Sequence, residues 1–199
     1  MSSTTTTRRI VTGHSPSGRA IFDSDEILTS LNPVDGQPAT GIIPGITTIC
    51  KASGFPAKVN GPFIDFHGKK LSLVDKAGVI CRVIDFPPIG DAEDQINTAH
   101  RTQSVDFAAV VDGEMQLTLD DATKTTLKKG DVVVQRGTMH TWRNVSNEYC
   151  KMLFVLIPSE KVLVPATGGV LSRRQCHSWI KRRAETVKSE SQESEWAFR

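Results

Sequence analysis

The stretch His100-Arg101-Thr102-Gln103-Ser104-Val105-Asp106 constrains this chain most. In an extended strand successive side chains alternate between faces, so His100, Thr102, Ser104 and Asp106 share one face and Arg101, Gln103 and Val105 take the other. A face carrying only polar groups is costly to bury unless its members are hydrogen-bonded, ligate a metal or line a wet cavity. A site is the economical reading. Downstream come Phe107 to Val111, the turn Asp112-Gly113, an alternating strand Met115-Gln116-Leu117-Thr118-Leu119, and Gly130-Asp131 leading into Val132-Val133-Val134. The pattern predicts antiparallel strands joined by short turns, with His140 arriving on a later strand.

These residues resemble the two motifs of the cupin superfamily. The first motif has the order His-x-His, three or four residues, Glu, six residues, Gly; His100, Asp106 and Gly113 stand at the first-His, Glu and Gly positions. Gly130-Asp131, Gly137, His140 and Asn144 match the second. Thr102 occupies the second-His position, Asp106 replaces Glu, and Gln135-Arg136-Gly137 stands where the family has Pro-x-Gly, with one residue fewer before it. The resemblance implies an all-β, cupin-type β-barrel, a jelly roll or double-stranded sandwich. It also implies a homodimer, because N-terminal strands in cupins often add to a partner's sheet.

At 199 residues the chain is long enough for one sizeable core and short for two. A formal charge of +2, with Lys and Arg scattered until the C-terminal tail, gives no case for nucleic acid. No apolar run approaches the ~20 residues of a membrane span. Cys50, Cys81, Cys150 and Cys176 show no CxxC spacing, so a soluble, cytoplasmic protein is expected.

Residues 1–40 read as a polar tail, disordered over the first seven residues, followed by a strand arm: Arg9 to Thr12 and Ala20 to Phe22 flank a Pro- and Gly-containing turn. Residues 41–165 read as the barrel. Within it Gly41 to Cys50 is a candidate strand, Leu71 to Leu73 is expected to form a hairpin with Val79 to Phe86, and Lys151 to Ile157 is expected to close the barrel. Residues 166–199 read as a short C-terminal helix followed by a charged tail, of which residues 184–199 are expected to be removable with folding and activity nearly intact.

His100, Asp106 and His140 are the candidate catalytic residues, and the same three form a candidate metal triad. Two imidazoles and a carboxylate suit a divalent metal, Fe, Mn or Zn. The alternative is a set of hydrogen-bonded core polars. Thr102, Trp142 and Arg82 are candidate substrate contacts: a hydroxyl donor, a ring that shares the face of His140, and a guanidinium able to grip a carboxylate. Their structural alternatives are an ordinary strand residue, core packing, and an ion pair with Asp85 or another acid. Asn144 is expected to bond within its turn.

Small stand-alone cupins with these residues around the pocket resemble those of natural-product pathways. The resemblance implies a tailoring enzyme for a small polyketide-like or phenolic acid, a lyase performing decarboxylation or dehydration. An Fe(II) dioxygenase using the same triad and a non-enzymatic ligand binder are the alternatives.

Overall fold

The computed structural model describes residues 5–89 and 99–171, and its described secondary structure is built from ten strands. β1 (Thr6–His14) and β2 (Ala20–Thr29) form the N-terminal hairpin, and β1 takes in Thr6 and Thr7, which composition had assigned to the polar tail. Their backbone pairs with Thr29 and Leu28, so ladder bonds order residues whose side chains bury little.

The remaining strands make two sheets. β3 (Gly45–Ser53), β4 (Gly78–Phe86), β5 (Ser104–Asp112), β8 (Val132–Arg136) and β10 (Cys150–Pro158) form a five-stranded sheet in the order β3-β4-β10-β5-β8. β6 (Glu114–Leu119), β7 (Lys124–Lys128) and β9 (His140–Arg143) form a three-stranded sheet in the order β7-β6-β9. All the pairings are antiparallel. The apolar core joins the sheets: Ala108 and Val110 of β5, Cys150, Met152, Phe154 and Leu156 of β10, and Met115, Leu117, Leu127 and Trp142 of the smaller sheet. This is the all-β sandwich expected from strand alternation, the inward rows of β10 and β6 being apolar at every second position.

Three expectations about connectivity are corrected. Asp112-Gly113 is not a hairpin turn, because β5 pairs with β10 and β8 while β6 pairs with β7 and β9; the chain crosses there from one sheet to the other. Gly113 has φ 77°, and a Cβ there would lie 2.6 Å from the Tyr149 carbonyl oxygen, so the crossing requires glycine. Leu71 to Leu73 forms no strand, and β4 pairs instead with β3 and β10, whose longer apolar runs offer more ladder and more burial. β10 does not close a barrel edge but lies in the middle of the five-stranded sheet, consistent with its alternate residues Cys150, Met152, Phe154 and Leu156 all being buried.

The hairpin is tied down by charge. The Arg9 side chain, 3% exposed, donates to both carboxylate oxygens of Asp65 at 2.7 and 2.9 Å and to Glu26 at 2.8 Å, with its guanidinium over the Phe63 ring. That fork geometry holds the Asp65 carboxyl down at about 2. Lys151 of β10 donates to the Thr6 carbonyl oxygen at 2.9 Å and pairs with buried Asp85 at the same distance. Of the expected C-terminal helix and removable tail, residues 172–199 lie outside the described residues; Leu163 and Val170 form an isolated bridge before them.

Candidate functional site

His100 and His140 meet through the backbone first. Each donates its N–H to the other's carbonyl at 3.0 Å, an isolated antiparallel bridge that extends the start of β9. Opposed residues in such a bridge project their side chains to the same side. The two imidazoles therefore face each other, ring centroids 4.4 Å apart and inclined at 55°.

His140 is 2% exposed and its orientation is set by Thr138. Nδ1 lies 2.9 Å from the Thr138 carbonyl oxygen, which can only accept, so Nδ1 carries the hydrogen and Nε2 keeps its lone pair. Burial, followed by the adjacent His100, holds its pKa down to about 4. His140 is a neutral base at physiological pH.

Asp106 occupies the inner face of β5, in register with Leu156 of β10 and Gln135 of β8. Thr102 Oγ1 donates to Oδ2 at 3.2 Å. Oδ1 and the neighbouring Ser104 Oγ are buried without a hydrogen bond of normal geometry. Burial raises the Asp106 pKa; the Ser104 and Thr102 hydroxyls and His100 oppose it and do not cancel it. Thr102, Ser104 and Asp106 are each 5% exposed or less, so the polar row read from the sequence does face inward.

Trp142 stands edge-on to His140 with centroids 5.6 Å apart, and edge-on to Phe154 at the same distance, within the hydrophobic core. Asn144 takes the turn role expected of it, donating to the Phe86 and Glu148 carbonyls and accepting from Ser146. Arg82 is 5% exposed, and Asp85 is not its partner, since Asp85 pairs with Lys151. Gln135, not singled out in the sequence, is buried beside Asp106 and donates to Thr138 Oγ1, the residue that orients His140. Its place in the Gln135-Arg136-Gly137 motif was the available signal.

The donor set suits a divalent metal in kind: a neutral imidazole with its lone pair on Nε2, a second imidazole facing it, and a buried carboxylate oxygen without a hydrogen bond of normal geometry among the described residues. The side chains are not gathered for it. Among the described residues no three His, Cys, Asp or Glu side chains are grouped as a metal ion requires. Thr102 bonds Asp106 where the family pattern has a second histidine.

A separate cavity of about 840 Å³ opens between the ends of β4, β5 and β10, walled by Ile80, Leu71, Val74 and Ser72 and rimmed by lysines. Its lining comes from segments far apart in the sequence, so no local pattern announced it. No helix among the described residues is long and apolar enough to cross a membrane.

A family model for the cupin domain matches residues 83–156. A cupin-domain-containing oxidoreductase of Neurospora crassa is 32% identical over 78% of this chain and 76% of its own. Phomopsin biosynthesis cluster protein C' of Diaporthe leptostromiformis is 40% identical over 47% of this chain, which spans about half (48%) of that relative's length. Among solved structures, the polyketide cyclase RemF of Streptomyces resistomycificus aligns with TM-score 0.39 and 13% identity over 67% of this chain and 70% of its own. With its strand order, its inward polar row and a relative matched over three quarters of its length, the chain belongs to the cupin superfamily.

Proposed function

We propose that this protein is a tailoring enzyme of lyase type acting on a small organic acid, by acid–base chemistry among His100, Asp106 and His140. The observation that carries the reading is that two titratable groups in one interior are pushed in opposite directions, His140 down to about 4 and Asp106 up. Groups separated in this way divide the roles of base and acid at one pH. His140 accepts a proton at Nε2, because Nδ1 is committed to Thr138. Asp106 presents Oδ1, which has no hydrogen bond of normal geometry among the described residues, to a proton in transit, while Thr102 donates to Oδ2. Loss of carbon dioxide from an activated acid leaves a carbanion or enolate that a buried carboxyl of raised pKa is suited to protonate. In a dehydration His140 would take the proton from carbon while the carboxyl protonates the hydroxyl, which leaves as water as the double bond forms. The roles given to His140 and Asp106 pass through no divalent ion, since among the described residues His100, His140 and Asp106 are not grouped as a metal ion requires. Trp142, Thr102 and Arg82 are proposed to contact the substrate.

An oxidoreductase is the second reading, favoured by the name of the Neurospora crassa relative. A non-catalytic binder is favoured by the Thr102–Asp106 bond, and the two unpartnered buried oxygens oppose it. Incubating the purified protein with a panel of phenolic and polyketide-like acids separates the three. Release of carbon dioxide or water that disappears in Asp106→Asn and His140→Ala supports the lyase. Oxygen consumption coupled to turnover replaces it with the oxidoreductase, and binding without turnover with the binder.

We also propose a homodimer. Phe107, Val132 and Val134 are exposed on the outer face at the β5–β8 edge of the five-stranded sheet, and Ile10, Ile21 and Phe22 on the hairpin. Single apolar side chains are ordinary on surfaces, whereas runs of them on an unpaired strand edge call for cover. Light scattering at micromolar concentration should return twice the chain mass; a monomer refutes it.

A further inference from the structure

Arg82 is the one inward-facing cation of β4, flanked in register by Thr48 of β3 and Phe154 of β10. It is 5% exposed, its Nη2 donates to the Ser72 carbonyl oxygen at 2.9 Å, and its buried Nε has no hydrogen-bond partner among the described residues. No acid faces it among the described residues, and burial alone lowers its pKa. A guanidinium has five donors and stays charged, so leaving it buried beside a carbonyl and an aromatic ring is unfavourable.

Arg82 does not itself line the lysine-rimmed cavity; it meets the cavity wall through the Ser72 carbonyl. Ser72, which accepts from Arg82, forms part of the cavity wall, and Ile80, the next inward residue of β4, lines it. Ile80 shares a register row with Leu156 and Asp106, so the cavity lining reaches the candidate acid's own row, two strands away from it. Leu71, Val74 and Ile80 give it an apolar lining. Lys51 is paired with Asp75 at 2.7 Å, whereas Lys70, Lys76 and Lys161 at the rim are in no ion pair among the described residues.

We propose that this cavity is the substrate entrance and that Arg82 is its anion anchor, so that the ligand carries a carboxylate on an apolar body. The rim lysines raise the local concentration of an anion, and the single buried guanidinium matches one negative charge in a planar fork. A phosphate dianion would need a second buried cation, and the cavity has none among its described lining residues. The inference rests on the small-acid reading above and narrows it to ligands that enter as carboxylates.

The test reads binding without turnover. Benzoate, benzamide and inorganic phosphate are titrated into wild type, Asp106→Asn and Arg82→Met, following the melting temperature and the heat of binding. Benzoate should stabilise wild type and Asp106→Asn, benzamide and phosphate should not, and Arg82→Met should lose the benzoate response at least tenfold. Ligand-free Arg82→Met should itself melt higher by about 2–4 °C, because an uncompensated buried charge has gone. A merely structural arginine would give a lower melting temperature and an unchanged benzoate response. Should Arg82→Met fail to fold, the double variant Lys70→Gln/Lys161→Gln keeps the question open to refutation: it should weaken benzoate several-fold and flatten its salt dependence, with the melting temperature unchanged. No benzoate response in wild type, equal responses to benzoate and benzamide, or a preference for phosphate each overturns the proposal. Carboxylate binding without lyase turnover would sink the lyase and leave this site standing. Full lyase activity in Arg82→Met would do the reverse.

Discussion

His140→Gln should flatten the acid limb of this protein's stability, and the size of the effect follows from the burial of one ring. Folding holds the His140 pKa down from 6.5 to about 4, so the unfolded chain binds a proton that the folded chain resists between those values. The group's folded pKa is depressed by burial of a base. Its neutral form is therefore tolerated fully above 6.5, and stability is lost as pH falls from there towards 4. Integrating the proton linkage, the loss attributable to His140 is about 2 kcal/mol by pH 5 and about 3 kcal/mol by pH 4. Asp106 works in the opposite sense: its raised pKa contributes stability below the ordinary carboxylate value, lost as pH rises through the folded value. Asp106 is present in both chains, so the difference between wild type and His140→Gln isolates the histidine. With a urea dependence of about 2 kcal/mol per molar, the midpoints should converge by about 1 M between pH 7 and pH 5. Equilibrium urea unfolding of chelator-treated proteins, followed by tryptophan fluorescence, measures this directly. Parallel pH profiles for the two chains would refute the reasoning, and would mean that His140 is protonated in the fold or that the ring is solvated.

Asp106→Asn should reduce turnover by at least about 100-fold while leaving the protein as stable or more stable at pH 8, since a buried carboxyl whose charged form burial disfavours has been replaced by a neutral isostere; a less stable, fully active variant would assign Asp106 to structure. Trp142→Ala should destabilise by about 3–5 kcal/mol, because the ring packs between His140 and Phe154 in the core; unchanged stability with a raised KM would make it a substrate contact only. Arg9→Ala should leave Asp65 and Glu26 unpaired and release the β1–β2 hairpin, seen as faster proteolysis within residues 6–29 with the core's melting transition retained; unchanged proteolysis would show that the hairpin docks without the arginine. Metal analysis of protein purified without chelator should find divalent metal well below one ion per chain, since among the described residues His100, His140 and Asp106 are not grouped around one point, and activity should survive exhaustive chelation with His140 as a metal-free base; near-stoichiometric metal lost in His140→Ala would show that binding draws the three together.

The strands and the inward polar row were legible in the sequence because a strand's side chains alternate with period two, and His100, Thr102, Ser104 and Asp106 keep that period whatever pairs beside them. The spacing to Gly113 and from Gly137 to Asn144 carried the family for the same reason, since those residues serve turns and crossings that are local in the chain. What pairs with what was not legible. Leu71 to Leu73 and the Asp112-Gly113 turn look locally like hairpin parts, and only competition among sheet partners with larger apolar faces sent β4 to β10 and β6 to β9. Tertiary structure also decided the electrostatics. Nothing in the letters places Asp85 against Lys151 and leaves Arg82 without an acid among the described residues, sets Thr138 behind His140, or gathers rim lysines from distant segments around one cavity. A pKa is a property of what surrounds a side chain, and those surroundings come from residues far away in sequence.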